Sequence, residues 1–415
     1  MPAESLLAPS PPPPVPARPY FPELECLRGL AITLVYAFHS EAVLRAAVPG
    51  ASDAAGTWVW LPLAFVYSGN TGVSLFFVLS AFLLSLPFLA AVRGGPRVST
   101  LEFFRRRALR ILPLYWVVVA VAVAFHIWQS SSLVPIGSGL VCMFFLNSFI
   151  DIGVGLWPFS VPWWSLATEV QFYLVLPLIG ALVGSPRRRR LGLVALLAWA
   201  AAYAAFITGD LHARSVAGQI LLRSSVFGRS PLFLGGMLAA AIYVWRGEAL
   251  RVLLSRTSWV AGVGGDLFVL ACFVGLGMIL QWTTFLGDMP AAGRHTWRFG
   301  EAFCWSAIVL ALILAPLRAR WLLVNPVLER IGIWSYSIFL IHLPVLTTIA
   351  VLPARKPDPI VLGPVGNAAA FVGLTVLTIA GAACTHRFIE KPFMARARRG
   401  RPAPPSAAGA PLAAR

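Results

Sequence analysis

The chain has 415 residues and a formal net charge of +17, with 58% hydrophobic and 12% charged side chains and a mean hydropathy of +0.79. A soluble domain carries about twice that charged fraction, so a water-soluble globular fold is excluded and an all-α polytopic membrane protein is implied. The positive charge does not point to nucleic acid, because it falls in short clusters between apolar segments (Arg105–Arg107, Arg187–Arg190, Arg396–Arg401), the pattern of cytoplasmic loops.

At about 20 residues per span, some ten spans with their loops use up the length. One membrane domain is therefore expected over residues 20–395. Residues 1–19 are rich in proline and lack a basic segment leading into an apolar stretch and a cleavage site, so they read as a disordered cytosolic tail rather than a signal. Residues 396–415 read as a second, basic and Pro/Ala-rich tail. The five cysteines (Cys26, Cys142, Cys272, Cys304, Cys384) are scattered without a CxxC pair, which implies neither a disulfide framework nor a zinc site. No metal is expected.

In chain order, the first span covers about Leu24 to Leu44, and the loop after it carries only Asp53 as a charge before Pro62. The second span, Leu63 to about Ala91, runs into Arg93, Arg97, Arg105, Arg106, Arg107 and Arg110; charge bias makes that segment cytosolic and the N-terminus with it. A third span, Ile111 to Trp128, leads out. Residues 133–150 are apolar, but the next strong span, Thr168 to Val183, ends at the basic run Arg187–Arg190 and so has to begin outside. Residues 133–150 are then a re-entrant or interfacial hairpin, unless Val154–Trp164 is itself a broken crossing. Further spans are expected at 191–207, 231–245, 259–281, 300–317, 333–352 and 366–386, giving about ten helices with both termini cytoplasmic. Arg214, Arg223 and Arg229 fall on the outer side of this scheme, where they break the charge rule unless they line a site.

The first span carries Arg28 and His39. Eleven residues make about three helical turns, so the two side chains share one face roughly 16 Å apart. Ionisable groups in membrane helices usually face a bundle interior or a wet path. A snorkelling arginine and a hydrogen-bonded interior histidine fit the same spacing.

Five stretches add to this pair: ELECLRGLAITLVYAFH (23–39), GVSLFFVLSAFLLS (72–85), FFRRRALRILPLYW (103–116), WWSLATEVQFYLVLPL (163–178), and IGIWSYSIFLIHLPV (331–345) with HRFIEKPF (386–393). In this order, over roughly residues 20–395, they resemble the acyltransferase 3 family of integral membrane acyltransferases. Those enzymes modify sugars, O-antigens, peptidoglycan, Nod factors and macrolides. Two departures stand out: Glu25-Cys26 where the family usually has Asp-Gly, and Ala81 where it usually has Gly. A hydrolase-like domain, fused after the membrane domain in some members, is not expected from the residues that follow it here.

The resemblance implies transfer of an acyl group, most simply acetyl, from acyl-coenzyme A to a hydroxyl in the inner membrane. The acceptor would be a carbohydrate, a lipid-linked glycan or a macrolide. The bilayer is the other partner, with no tightly bound cofactor. Such a transfer needs a base whose pKa lies near neutrality, and His39 is the candidate. Arg107 and Arg110 match the family's RxxR pair associated with acyl-coenzyme A, and with Arg105 they offer guanidinium forks for phosphate; a plain positive-inside cluster has the same composition. Arg28 is expected either to anchor the donor or to hold a carboxylate such as Glu25, alongside its reading as a juxtamembrane cation. Glu169 is expected to orient His39 or the acceptor hydroxyl, because a buried carboxylate requires a partner. Trp164, Ser165 and Tyr173 belong to the same motif and are placed with the substrate. Ser165 lacks the G-x-S-x-G setting of a nucleophile, so direct transfer is expected. Ser335, Tyr336 and His342 match family motifs and are candidates for the cavity wall, although a core role for His342 is equally available. Glu390 reads as a helix-end anchor.

A proton-coupled exporter of a glycan or lipid is the competing class. The RxxR cluster, the Trp-Ser-Leu…Glu motif and the missing inverted repeat weigh against it.

Overall fold

The computed structural model describes residues 20–46, 59–150, 155–208, 215–256, 263–286, 293–351 and 364–399. The expected tail at 1–19 lies outside them, as do residues 400–415 of the second tail; residues 396–399 close the last helix. The described chain is all helical. Its helices are α1 (Pro22–Ala46), α2 (Leu61–Tyr67), α3 (Thr71–Val92), α4 (Thr100–Ser130), α5 (Val134–Met143), α6 (Trp163–Val183), α7 (Arg189–Thr208) and α8 (Val216–Ser224). They continue with α9 (Ser230–Arg256), α10 (Gly265–Gln281), α11 (Gly293–Leu314), α12 (Arg320–Leu323), α13 (Pro326–Ile333), α14 (Ser335–Val351), α15 (Pro364–Thr385) and α16 (Lys391–Arg399).

Local chemistry sets several of these boundaries. Ser99 caps α4 by accepting from the Glu102 amide at 3.4 Å, and Asn325 caps α13 by accepting from Leu328 at 3.0 Å. Both satisfy amides that a helix start leaves unpaired. Proline sits in the first turn of α2, α5 and α13, where its missing N–H costs nothing.

Most of the expected spans coincide with one long helix, but the second, 63–91, is broken at residues 68–70 into α2 and α3, and the helices are not equally apolar. Among the described residues, seven helices are long and apolar enough to cross a bilayer (α3, α4, α6, α7, α10, α11 and the α15 segment), or eight if the α12–α13 segment and α14, bent by 65° at their junction, make one span. The expected count of ten is therefore not reached on this criterion. Helices α1 and α9 are long enough, yet α1 carries Glu23, Glu25, Arg28 and Glu41, and α9 carries Arg246, Glu248 and Arg251. Both pack inside the bundle, α1 against α3, α13 and α14, and α9 against α3 and α11. Residues 133–150 form the ten-residue α5 and a short turn. At 1.5 Å per residue α5 spans about 15 Å, half of the hydrocarbon core, so it does not cross.

Helix α1 is the axis of the fold, and two glycines bring α13 onto it. A Cβ at Gly29 would meet Leu328 O at 2.0 Å, and one at Gly332 would meet Glu25 O at 1.8 Å. Backbones this close leave no room for any side chain. The same end of α1 is tied down by Tyr20, which donates to Glu329 at 2.6 Å, and by an Arg320–Glu23 ion pair. Arg28 is thereby held beside the α13–α14 bend.

Candidate active site

A cavity of about 650 Å³ opens between α1, α3, α4, α6 and α14. Its wall along α3 runs from Ala90 to Val73, about 25 Å at 1.5 Å per residue. One end is the basic segment between α3 and α4, with Pro96, Arg97, Val98 and Ser99; the middle is apolar on the α3 side, with Leu83, Leu79 and Phe76. Five arginines (Arg28, Arg97, Arg106, Arg107, Arg110) and three glutamates (Glu25, Glu102, Glu169) reach the cavity. The surplus of guanidinium suits an anionic guest.

These groups are held in place. Arg107 stands over the Tyr173 ring, 5.9 Å from its centroid, and the Tyr173 hydroxyl donates to Glu169 Oε1 at 2.6 Å. Ser80 donates to the same oxygen, so two hydroxyls satisfy a carboxylate that would be costly to bury alone. Arg28 Nη2 donates to Ser335 Oγ at 3.2 Å, the first residue after the bend, and its Nε lies 3.9 Å from Glu25. Buried Nε has no hydrogen-bond acceptor. Tyr336, on the cavity wall, donates to Ile111 O at 2.7 Å.

His39 is not part of this wall. Gly72 packs on α1 such that an added Cβ would meet Ala31 O at 2.2 Å and Val35 Cγ2 at 3.0 Å. The far end of the cavity at Val73 is thus level with the Ala31–Val35 turn of α1, one to two helical turns before His39. There the half-buried His39 ring meets the buried His342 ring, with centroids 5.0 Å apart and His342 Nε2 3.1 Å from His39 Nδ1. Phe339 joins the two regions, since it lines the cavity and its ring lies 6.1 Å from that of His342.

Residues 21–387 match the acyltransferase 3 family, described as "Acyltransferase domain". The chain belongs to this family. Among curated relatives, the O-acetyltransferase OatA of Staphylococcus aureus is 25% identical over 393 residues, covering 90% of this chain and 57% of OatA. The acyltransferase MdmB of Streptomyces mycarofaciens is 28% identical over 364 residues, covering 80% of this chain and 83% of MdmB. The chain thus spans little more than half the length of OatA. No solved structure matches it. The family assignment sets the exporter reading aside.

The site residues expected from the sequence fall into separate groups. Arg28, Arg107, Arg110, Ser165, Glu169 and Tyr173 all line the one cavity, although the Ser165 hydroxyl is committed to Pro162 O at 3.0 Å. Arg105 does not line it: its guanidinium pairs with Glu102 at 2.8 Å and reaches Ala397 O at 3.5 Å. Trp164 is also outside, stacked under Arg229 at 4.8 Å, and Arg229 in turn donates to Arg223 O at 2.8 Å. Arg229 therefore staples the turn before α9 to α6, while Arg214 lies outside the described residues. Glu169 makes its hydrogen bonds to Ser80 and Tyr173, whereas His39 makes its own to Val35 O and His342. Sequence reasoning passed over Arg97 and Ser80, and named Arg106 only as one of the arginine cluster. Arg97 looked like ordinary positive-inside charge, and Ser80 has no signal beyond lying one turn along α3 from Phe76 and Leu84. Among the described residues no cluster of His, Cys, Asp or Glu has metal-ligand geometry.

Proposed function

We propose that the chain is a membrane O-acyltransferase that moves an acyl group, in the simplest case acetyl, from acyl-coenzyme A to a hydroxyl of a carbohydrate or glycosylated acceptor. The observation that carries this reading is the cavity. It joins a cluster of arginines at the basic end to a region one to two helical turns from His39, over a distance suited to a long, anion-headed thioester. Its volume lies within the usual range for ligand sites. The match to an acyltransferase family, with OatA named an O-acetyltransferase and MdmB an acyltransferase, supports the same chemistry.

In this reading coenzyme A enters from the cytoplasmic side, where charge bias places the Arg97–Arg110 segment. Arg97, Arg106, Arg107 and Arg110 take its phosphates by charge-assisted hydrogen bonds, and the apolar wall of α3 receives the pantetheine arm. His39 Nε2 removes the acceptor's hydroxyl proton as the oxygen attacks the thioester carbonyl. The tetrahedral intermediate collapses with loss of the carbon–sulfur bond, and the imidazolium returns the proton to the departing thiolate. Glu169, held by Ser80 and Tyr173, keeps Arg107 and Arg28 in a field of compensating charge.

The deciding experiment incubates purified full-length protein with radiolabelled acetyl-CoA and the carbohydrate fraction of its native membranes. Label transferred to that fraction, and lost in His39→Ala, supports the reading. Absence of transfer by the intact protein overturns it.

A further inference from the structure

Two histidines from opposite ends of the sequence meet ring to ring, and their partners settle where the protons lie. His342 Nδ1 lies 3.0 Å from Ile338 O and 2.8 Å from Phe339 O. Backbone carbonyls only accept, so Nδ1 of His342 carries the hydrogen. In a neutral ring its Nε2 is then a bare lone pair. That atom faces His39 Nδ1 at 3.1 Å, and the same Nδ1 lies 3.0 Å from Val35 O. Both neighbours of His39 Nδ1 are acceptors, so it bears a hydrogen shared between them.

We infer that His342 is a positioning residue that locks His39 in the Nδ1–H tautomer and leaves His39 Nε2 as the only ring nitrogen able to accept a proton. The opposite tautomer would set the Nδ1 lone pair of His39 against two acceptors at 3.0 and 3.1 Å. When His39 Nε2 takes the acceptor's proton, the imidazolium keeps its Nδ1–H directed at Val35 O and His342 Nε2, so the new charge forms beside groups already oriented towards it. His342 stays neutral in this scheme: its Nε2 accepts the His39 Nδ1–H as a hydrogen bond, and its own Nδ1–H stays with the two carbonyls. Orientation of a base by a hydrogen bond to its second nitrogen is how imidazoles are usually set for proton transfer. Here a neutral, buried histidine provides it, where sequence reasoning expected a carboxylate. Side-chain placement supports this: His342 is fully buried and is packed between Phe339 and Tyr36, which leaves its ring little freedom to turn.

This inference rests on His39 being the base, and its test separates the two. Histidine ring nitrogens are read by two-bond proton–nitrogen correlation spectra of 15N-histidine-labelled full-length protein in detergent, with the His39 signal identified by its loss in His39→Gln. The expected spectrum shows a protonated Nδ1 and a bare Nε2 for His39, and a mixture of tautomers in His342→Leu. Alongside, His342→Leu should lower kcat for acetyl transfer by roughly 100-fold, the scale at which partners that orient an imidazole act, while KM for acetyl-CoA stays within about twofold. His342→Gln presents an amide oxygen near the position of Nε2 and should recover most of kcat. A protonated Nε2 on His39 in the intact protein, a tautomer unchanged in His342→Leu, or a Gln variant no better than the Leu variant at equal thermal stability overturns the inference. Full activity in His39→Ala overturns the base assignment instead, whatever the spectra show.

Discussion

Arg105 and Arg107 stand two residues apart on α4 and meet different surroundings. Two residues turn a helix by about 200°, so Arg105 reaches Glu102 and the backbone of α16 while Arg107 enters the cavity over Tyr173. Arg107→Ala should therefore raise KM for acetyl-CoA by roughly 10- to 100-fold, the equivalent of about 1.5–3 kcal/mol for hydrogen bonds to a charged group. Arg105→Ala should leave KM within about twofold, and steady-state kinetics on the two variants decides between them. Arg107→Lys should not restore binding, because an ammonium lacks the planar fork. At the other end, His39→Ala should reduce transfer by at least about 100-fold, the usual contribution of a general base. Acetyl-CoA affinity, measured by calorimetry, should be unchanged, since His39 lies outside the arginine-lined wall.

The decisive element is α1 with α13 pressed against it. The cavity keeps its shape because Arg28 on α1 meets Ser335 just past the α13–α14 bend, and that contact depends on the glycine crossing of α1 and α13. Gly332→Ala would force a methyl group onto Glu25 O, now 1.8 Å from its position. The helices would have to separate, and overpacking of this kind costs about 1–3 kcal/mol. A clear fall in Tm is expected, read by size-exclusion chromatography of heated detergent samples. Gly137→Ala on α5 is the matched control: nothing lies within 4 Å of its added Cβ, and removing a helical glycine there should leave Tm unchanged or slightly raised.

For the whole molecule, the charge pattern and the helix order together predict sidedness. Pro186 precedes the run Arg187–Arg190 at the end of α6, and Ser132 lies between α4 and α5, at opposite ends of the bundle. In a cysteine-free background, Pro186→Cys should react with an impermeant maleimide only when the cytoplasmic face is accessible, and Ser132→Cys only from outside. Labelling of both from one face would reverse or break the proposed topology, and with it the cytoplasmic entry of the donor. The cavity spans most of the length of α3, so donor and acceptor need not share a face.

Hydropathy and helical period are local properties, and they were enough to identify a multi-pass helical membrane protein and to place most of its long helices, while the motif stretches singled out much of the cavity wall. That residues 133–150 do not cross was settled by the ten-residue length of α5. The placement of Arg28 and His39 on one stripe of α1 follows from their spacing alone. Other features depend on how each helix is rotated and where it crosses its neighbours, which no local pattern encodes. The charges of α1 are tolerated because that helix is interior, a fact visible only in its packing, whereas those of α9 lie at its exposed end. Arg97 and Arg106 reach the cavity while Arg105 and Trp164, which the sequence placed with the substrate, turn away from it. The pairing of His39 with His342 joins residues 303 positions apart, and only the packing of α14 on α1 brings one ring's bare nitrogen to the other's N–H.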